Sequence, residues 1–429
     1  MATASKIYKA EDWKIYVYVP ESGAFTLDFS RLDGPDVLGT TGGGLQPIEA
    51  QISNISLTEG SEITQGLFST IEPARMSAEL IIENFTASDA NKFYVGSECS
   101  LFLVNPTPTT SYTVGSYTFS RTNETMFFYG FIESFNVDVM PGSNYATISI
   151  SALSNSSRDL NTLIGVDQDL TTPKNTLIAN TGVGNWSGTS LSNYNFGASG
   201  FKEKSLAEFL GDLVLCESAL AADKMQNVLS GSGQFMGGTT YKLIPNQNNI
   251  IELTNSTVVG TPTVNFDDSD LSELNLDWSG SNAPTGVAFT LESNPDITYN
   301  IGESNSPGAF IYSANPNVKN LVQLRAVANK MLNFNKAFSP VSITTETART
   351  YQEITFDSQD LSFFFLFPTI ITETFWLKPI NLANVLDTIT VTNTELGYVN
   401  LPMIVTGRTI EITPDNWTTT YNLWKGFTN

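Results

Sequence analysis

Histidine is absent from this chain of 429 residues. Because histidine is the most frequent general base and a common metal ligand, its absence excludes Ser-His-Asp, Cys-His and HExxH sites. Cysteine is nearly absent: Cys99 stands in the strand-like SECSLFLV and Cys216 in the helix-like LGDLVLCESAL. Apolar surroundings of this kind favour buried thiols over a catalytic or disulfide role. We therefore expect no catalytic residue, no metal and no cofactor, and the chain is predicted not to be an enzyme.

Long hydrophobic segments are missing too. The N-terminal MATASKIYKAEDW lacks the apolar stretch of a secretory signal. The most apolar run, LSFFFLFPTII at 361–371, has eleven residues and a proline, whereas a membrane-spanning helix needs roughly 20. Its aromatic side chains form more apolar area than a monomer usually exposes. We expect the segment LSFFFLFPTIITETFWL to be buried in an assembled particle, with no stable membrane insertion by this chain.

Positive charge is scarce. The chain has 21 basic and 43 acidic residues, which gives a formal net charge of -22. Such a balance repels phosphate backbones, so sequence-tolerant DNA binding is not expected. A hydrophobic share of 41% with 11% aromatic residues argues against disorder. The length corresponds to two to four folded domains.

Short alternating runs dominate both ends of the chain, and they predict antiparallel barrels or sandwiches. Residues 161–200 are rich in Asn, Thr, Ser and Gly and are typical of a long loop or domain joint. The chain is therefore predicted to be mainly β with a mixed α+β centre. The predicted domains are a β-barrel at 1–160, a middle domain at 161–338 and a C-terminal β-barrel at 339–429.

Two helices are predicted in the middle domain. The first is SLAEFLGDLVLCESAL, in which Ser205 and Glu208 form a capping box and apolar residues up to Leu220 recur at helical spacing. The second runs from about 316 to 336, with Asn315 as its cap. Its apolar side is predicted to comprise Leu321, Leu324, Ala328, Met331 and Leu332.

The segment TIEITPDNWTTTYNLW at 409–424 has the pattern of a hairpin. Its isoleucines alternate with polar residues before a Pro-Asp-Asn turn, and Trp417, Tyr421 and Leu423 are predicted to share a buried face after it. A similar arrangement begins at Gly130, where Tyr145 takes the place of Trp417. This likeness is explained either by duplication of a barrel or by coincidence, because alternating strands and Pro/Gly turns recur in many unrelated hairpins.

Several motifs have residue types that could form chemical sites. The glycine-rich GVGNWSG at 182 and GSGQFMGG at 231 lack the spacing and context of phosphate-binding loops. The acidic DDSDLSELNLD at 267–277 could hold calcium, but it lacks the EF-hand glycine, and a solvated acidic turn or strand edge is favoured. Tryptophans could stack on sugars, although burial is the more common role of such residues; those considered are Trp13, Trp278, Trp376 and Trp424.

Two segments together resemble the tail-tip hub, or minor tail, proteins of bacteriophages (the baseplate hub family). They are FYGFIESF followed by PGSNYATISISALSNSSRDL, and DTITVTNTELGYVNLPMIVTGRTIEITPDNWTTTYNLW. The family commonly ends its first barrel on an apolar-Gly-x-Ile/Val-x-Ser strand and an Ala-Thr-Ile/Val strand, and it closes on a Trp-Thr-Thr strand. The residues that carry the match are Gly130, Ile132, Ser134, Pro141, Ala146, Thr147, Gly407, Ile410, Pro414, Trp417, Thr418 and Thr419.

The resemblance implies a structural virion protein with two tail-tube-like barrels flanking the middle domain. Hubs of this family commonly form homo-trimers that close the hexameric tail tube, so two similar barrels per subunit would give a ring of six. The implied partners are a tail-tube or distal tail protein, the tape measure and spike or fibre proteins. The implied location is the virion tail tip, after synthesis in the bacterial host cytoplasm. DNA would pass through the lumen without specific binding, and an acidic wall would keep it mobile.

Two other classes remain open from the sequence. A receptor-binding tail fibre or spike that recognises a host surface glycan would place aromatic and acidic residues in an exposed groove, and would usually show repeats of fixed period. A glycan-cleaving enzyme would need two carboxylates at a fixed separation in a cleft. The residues favour the hub over the receptor-binding protein, and both over the enzyme.

Overall fold

The structure of the chain is a computed structural model. Cys216, Trp278, Asp277 and residues 361–370 of the apolar run lie outside the residues that it describes. The expected burial of that run, and the role of Cys216, therefore stay predictions. The described residues are 13–19, 44–48, 50–60, 72–86, 93–114, 117–139, 142, 144–154, 157, 161, 186–188, 205, 207–208, 219–225, 235–236, 242–243, 249–255, 261–276, 285–292, 294–302, 311–316, 318, 320–332, 340–355, 371–376, 383–414 and 416–424.

Strands predominate in the first third of the chain, as the alternating pattern predicts. In strand β4, for example, Met76, Ala78 and Leu80 are buried while the residues between them are exposed. This alternation places one face on a core and the other in solvent. The strands are β1 (Trp13–Val19), β2 (Gly44–Pro47), β3 (Gln51–Gly60), β4 (Arg75–Glu83), β5 (Glu98–Val114), β6 (Tyr117–Val139) and β7 (Tyr145–Ser154).

The middle and C-terminal parts add shorter strands and a helix. The middle elements are β8 (Trp186–Gly188), β9 (Ala219–Met225), β10 (Phe235–Met236), β11 (Lys242–Leu243), β12 (Asn249–Asn255), β13 (Val264–Phe266), β14 (Leu271–Leu276), β15 (Gly286–Leu291), β16 (Asn294–Gly302), β17 (Ile311–Ala314) and α1 (Leu321–Leu332). The C-terminal strands are β18 (Pro340–Thr355), β19 (Ile371–Trp376), β20 (Thr388–Asn393), β21 (Tyr398–Ile412) and β22 (Asn416–Trp424).

The N-terminal and C-terminal strands belong to one sheet of 14 strands. Its main path is β14-β18-β22-β21-β3-β4-β7-β6-β5-β1-β2, and the antiparallel pairing of β3 with β21 joins the two ends of the chain. The expectation of a mainly β protein is confirmed. Two closed barrels are not seen in the part of the chain that the structure describes, because this path ends at β14 and β2 without returning on itself.

The β3–β4 hairpin lies between the two hairpins that the sequence comparison matched, β6–β7 and β21–β22. The predicted correspondence of Tyr145 with Trp417 is wrong, however. Tyr145 is exposed and Ala146 is buried, whereas Trp417 is fully buried. Because strand side chains alternate between faces, a shift of one residue places the two aromatic side chains on opposite faces.

Four C-terminal strands and two strands of the middle region curve around a core of their own. They follow the order β13-β20-β21-β22-β18-β14, and the two strands at its ends are consecutive in the chain. The short turn that joins β13 to β14 brings both ends of the path together, so the six strands bend around the core between them. That core comprises Phe266, Ile343, Ala383, Ile389, Val391, Met403, Val405, Tyr421 and Leu423.

In the middle region, α1 packs on β15 and β16 through the buried Leu324, Val327 and Ala328. The predicted start of this helix is wrong by about five residues. Its cap is Asn320, whose Oδ1 accepts hydrogen bonds from the backbone N–H groups of Val322 (3.0 Å) and Gln323 (3.1 Å). Asn315 precedes a proline in the same Asn-rich stretch, and the backbone bonds available to Asn320 decide which asparagine caps the helix.

The first predicted helix is described only at its start. The capping box is present: Ser205 N donates to Glu208 Oε2 (2.8 Å), and Glu208 N donates to Ser205 Oγ (3.2 Å). Residues 209–218 lie outside the described part. The assignment of Leu220 to this helix is wrong, because its backbone pairs with Thr254 in the antiparallel β9–β12 ladder. A second helix of the predicted length is therefore not confirmed.

The β5–β6 hairpin extends beyond the strands beside it. The two strands pair as far as Val114 and Tyr117, whereas β1 accompanies β5 only up to Leu103 and β7 accompanies β6 only from Gly130. In the outer part of the hairpin, beyond Leu103 on β5 and before Gly130 on β6, β5 and β6 pair only with each other in the ladders that the structure describes. None of the helices in the described part is long and apolar enough to cross a membrane.

Candidate functional site

A buried ion pair lies where the two ends of the chain meet. Arg408 of β21 stands opposite Glu59 of β3 in the antiparallel ladder, and the two side chains are only 1% and 2% exposed. Arg408 Nε donates to Glu59 Oε2 at 2.9 Å, and Nη2 contacts the same oxygen. The pair joins residues 349 positions apart in the sequence. Because buried charges are tolerated only when they are paired and hydrogen-bonded, separating these two strands would leave both charges without their partners.

Further polar groups complete the surroundings of the Arg408 guanidinium. Nη1 donates to the Ala383 carbonyl oxygen (2.9 Å) and to Asn384 Oδ1 (3.5 Å). The backbone N–H of Ala383 in turn donates to the Tyr421 hydroxyl (3.3 Å). The segment that begins at Ala383 is thus tied to both strands of the terminal hairpin. We call Glu59, Ala383, Asn384, Arg408 and Tyr421 the buried junction.

Glycines allow β3 and β21 to approach each other beside this pair. Gly60 has a φ of +69° and pairs with Gly407. A Cβ on Gly60 would lie 2.3 Å from the Thr406 carbonyl oxygen and 3.0 Å from the Gly407 Cα. Both the backbone angle and the lack of space therefore require glycine at position 60.

Burial controls the electrostatics of the junction. It raises the pKa of the Tyr421 hydroxyl to about 12, and the positive charge of Arg408 opposes this shift. The phenol is therefore neutral at physiological pH. With its charges buried and engaged with each other, the junction holds the two ends of the chain together.

Aromatic rings join the same two parts of the chain near the turn of the terminal hairpin. Trp13 contacts Phe127 and Trp417, with ring centroids 5.0 and 4.9 Å apart, and Phe127 lies 5.9 Å from Trp417. All three pairs have the edge-to-face geometry that aromatic quadrupoles favour. The C-terminal hairpin is thus inserted into the N-terminal core.

The residues that carried possible chemistry in the sequence are not brought together. Cys99 is fully buried, and burial raises the pKa of its thiol to about 12, so it is inert at neutral pH. Trp13 and Trp424 lie in cores rather than on a sugar-binding surface. The described residues contain no group of three or more Cys, Asp or Glu side chains placed to hold a metal ion. Of the glycine-rich loops, only Trp186–Gly188 and Phe235–Met236 are described, both as strands.

The acidic segment at 267–277 begins with a hydrogen-bonded turn. Asp267 Oδ1 accepts from Ser269 N (2.9 Å), and Asp270 Oδ2 accepts from Asp267 N (3.2 Å). The Asp268 carboxylate instead reaches the β20–β21 hairpin, where it accepts from Asn393 and Thr394. The carboxylates of Asp267, Asp268 and Asp270 thus shape the turn and join two loops, whereas the choice between a solvated acidic turn and a calcium site stays a prediction.

The junction was not predicted from the sequence, although the sequence contains a signal for it. In the alternating pattern of its strand, Arg408 lies on the same face as Ile410 and Ile412. Glu59 likewise lies on the same face as Ile55 and Leu57. A charge at a core-facing position of an alternating strand needs a buried partner. The pattern therefore indicated two buried charges, but it could not show that they belong to one pair.

No model of a known protein family matches this sequence, and no curated protein sequence matches it. Solved structures do match the fold. A tail protein from Neisseria meningitidis MC58 is 10% identical, with 96% of each chain covered and a TM-score of 0.50. A 43 kDa tail protein of prophage MuSo2 from Shewanella oneidensis is 11% identical, with 96% of this chain and 98% of that chain covered and a TM-score of 0.51. The predicted resemblance to phage tail proteins is thus confirmed at the level of the fold.

Proposed function

We propose that this chain is a structural protein of a phage tail, and that it acts as the tail-tip hub that closes the tail tube and connects it to the spike or fibre assembly. The observation that carries this proposal is the difference in polarity between the two faces of the central sheet. Its strands β21, β3, β4, β7 and β6 bury one face, while the other face is mainly polar.

The polar face carries hydroxyl and acidic side chains, which suit the wall of a channel that DNA passes through without binding. Hydroxyl side chains succeed one another across the strands, with Ser56 opposite Ser77 and Ser77 opposite Ser151. Among the residues of these strands whose exposure the structure describes, the exposed charges are mainly acidic, and the exposed basic residue, Arg75, is paired with Glu133 at 2.7 Å. Such a surface repels phosphate and offers it few donors. The exposed acidic residues of this face are Glu79, Glu83, Glu133, Asp138 and Glu411.

We infer that the working form is a homo-trimer in which each subunit presents two barrel-like units. The two units are the strands around the N-terminal core and the six strands around the C-terminal core, on either side of the buried junction. Three chains would then present six barrel-like units, which match the six subunits in one ring of a hexameric tube. The outer part of the β5–β6 hairpin supports self-association, because strand edges without a ladder partner readily pair with another chain. The domain boundaries near 160 and 338 stay part of this proposal.

A non-enzymatic role belongs to the same proposal. It is supported by the commitment of the buried Glu59 and Arg408 to each other, and by two of the four tryptophans considered for glycan stacking lying in cores. The expected partners are a tail-tube or distal tail protein, the tape measure and the spike or fibre proteins. The chain would be made in the bacterial cytoplasm and become part of the virion.

The position of the chain in the virion tests this function. Electron microscopy of intact particles, with the chain marked by an antibody fragment, should place it at the distal end of the tail tube in three copies. Density on fibre tips or on the capsid would contradict the hub role. Turnover of host polysaccharide by the purified chain would contradict its non-enzymatic character.

A further inference from the structure

The tip of the β20–β21 hairpin exposes apolar side chains. Residues 394–399, which we call the hairpin tip, include Leu396 at 43% exposed and Val399 at 75% exposed. Exposed apolar residues are common singly. Here two of them occur within four residues at the end of one hairpin whose strands pair from Thr388↔Ile404 to Asn393↔Tyr398.

Hydrogen bonds hold this tip in one conformation. Asp268 Oδ2 accepts from the backbone N (3.0 Å) and the hydroxyl (2.7 Å) of Thr394, while Asp268 Oδ1 accepts from Asn393 Nδ2 (2.8 Å). Asn393 Oδ1 accepts from Leu396 N (2.9 Å). Gly397 adopts a φ of +71°, which a glycine reaches without strain. A loop ordered before binding loses little conformational entropy when a partner covers it.

The surroundings of the tip are acidic. The hydrogen bonds of Asp268 to Asn393 and Thr394 hold the acidic turn at 267–270 against the base of the tip, and Glu395 lies within the tip itself. Segments 261–276 and 388–400 contain no Lys or Arg. Acidic surroundings attract a basic partner surface, and this chain offers only 21 basic residues against 43 acidic ones. A different protein with a basic rim around an apolar pocket fits both the charge and the anatomy of interface anchors.

We propose that the hairpin tip is a docking element that inserts Leu396 and Val399 into an apolar pocket, rimmed by Lys or Arg, on a different protein of the same particle. The proposal rests on the tail role proposed above and adds to it the surface and the chemistry of one partner. The turn at 267–270 acts as a support that positions the tip.

Photo-crosslinking in assembled particles tests the docking. A benzophenone amino acid replaces Val399 in one variant and Val322 in the other. Val322 is a matched control because it is 76% exposed and lies on α1, outside the tip. We expect position 399 to give an adduct with one other particle protein, through a peptide that contains Lys or Arg, and position 322 not to give it. An adduct with a second copy, the same adduct from both positions, or no adduct from position 399 would overturn the proposal.

The same particles separate this proposal from the proposed function. Mass spectrometry of purified virions shows whether the chain is present: its absence would overturn the tail role itself, whereas its presence without an adduct at position 399 would overturn only the docking. Competition between variants for incorporation gives a second measurement. Val399→Asp should weaken incorporation about 30-fold, as loss of an interface anchor does, while Val322→Asp should leave incorporation and the unfolding temperature unchanged. Equal incorporation of both variants would contradict the docking.

Discussion

At the scale of single residues, the Glu59–Arg408 pair is the most consequential contact between the two ends of the chain. Replacing Arg408 with methionine would leave the Glu59 carboxylate buried without its counter-charge, so we expect a loss of about 3–5 kcal/mol in the free energy of unfolding. Replacing both residues with apolar ones, Glu59→Leu with Arg408→Met, should restore much of that stability. Denaturant unfolding of the three proteins measures both effects. A single variant within 1 kcal/mol of wild type would show that the pair is dispensable.

Tyr421 gives a prediction that depends on pH. Burial raises its pKa from 10.0 to about 12, so as the pH rises through 10 the unfolded chain loses the phenolic proton before the folded chain does. The stabilising contribution is therefore complete below pH 10 and is lost between pH 10 and 12.

The variant Tyr421→Phe isolates this effect. At pH 8 it should be about 1 kcal/mol less stable than wild type, because the hydrogen bond from Ala383 N is lost. Above pH 10 the difference should shrink by about 1.4 kcal/mol per pH unit, as wild type alone carries the shifted phenol. Denaturant midpoints at pH 8, 10 and 11 provide the measurement. A difference that stays constant across this range would mean that Tyr421 titrates normally.

At the scale of elements, the terminal hairpin contributes to every core that the structure describes in the sheet. Ile410, Ile412 and Trp417 enter the N-terminal core. Ile404 and Trp424 pack with α1 and its strands, and Tyr421 and Leu423 belong to the C-terminal core. The order of the chain so near its C-terminus follows from this position, since the hairpin lies between three cores rather than at the edge of one.

The two faces of β22 predict opposite effects of substitution. Trp417→Ala should destabilise the fold by about 3–5 kcal/mol, because it opens a cavity beside Trp13 and Phe127. Thr418→Ala, on the half-exposed face next to it, should change stability by less than about 0.5 kcal/mol. Deleting residues 409–429 should abolish cooperative folding, whereas deleting 426–429 should not. Thermal unfolding followed by circular dichroism distinguishes these cases, and a cooperative transition in the longer deletion would refute the role of the hairpin.

Local patterns in the sequence predicted these elements better than their partners. The alternation in Trp417–Leu423 and the box formed by Ser205 and Glu208 depend on neighbouring residues, and both are confirmed. The pairing of β3 with β21 depends on residues about 350 positions apart, and no local signal distinguishes it from other antiparallel pairings. The junction shows the same dependence on distant residues. The position of Arg408 on the core-facing side of its strand indicates that it is buried, but only the tertiary fold brings Glu59 to it.

At the scale of the whole molecule, the sheet separates two kinds of surface. One face is committed to the cores, and the other presents hydroxyl and carboxylate groups over five neighbouring strands. A net charge of -22 does not by itself locate the acidic surface. The strand register locates acidic residues on this face. Glu79 stands opposite Asn54 and Glu411 stands opposite Ser56, and these two positions of β3 lie on the same face because they are two residues apart.

Reversing these two charges tests whether this face guides DNA. The double variant Glu79→Lys with Glu411→Lys should let particles assemble but should slow DNA release, because each lysine can hold a phosphate that the native face repels. The delay should weaken as salt is added, and affinity of the purified variant for duplex DNA should fall with salt with a log–log slope steeper by about 1.8 than that of wild type. The matched control, Glu79→Gln with Glu411→Gln, removes the repulsion without adding an attraction and should release DNA at nearly the native rate. If the lysine and glutamine variants release DNA alike at low salt, the polar face does not line the path of the DNA, and the conduit part of the proposed function fails while the fold and the junction remain as described.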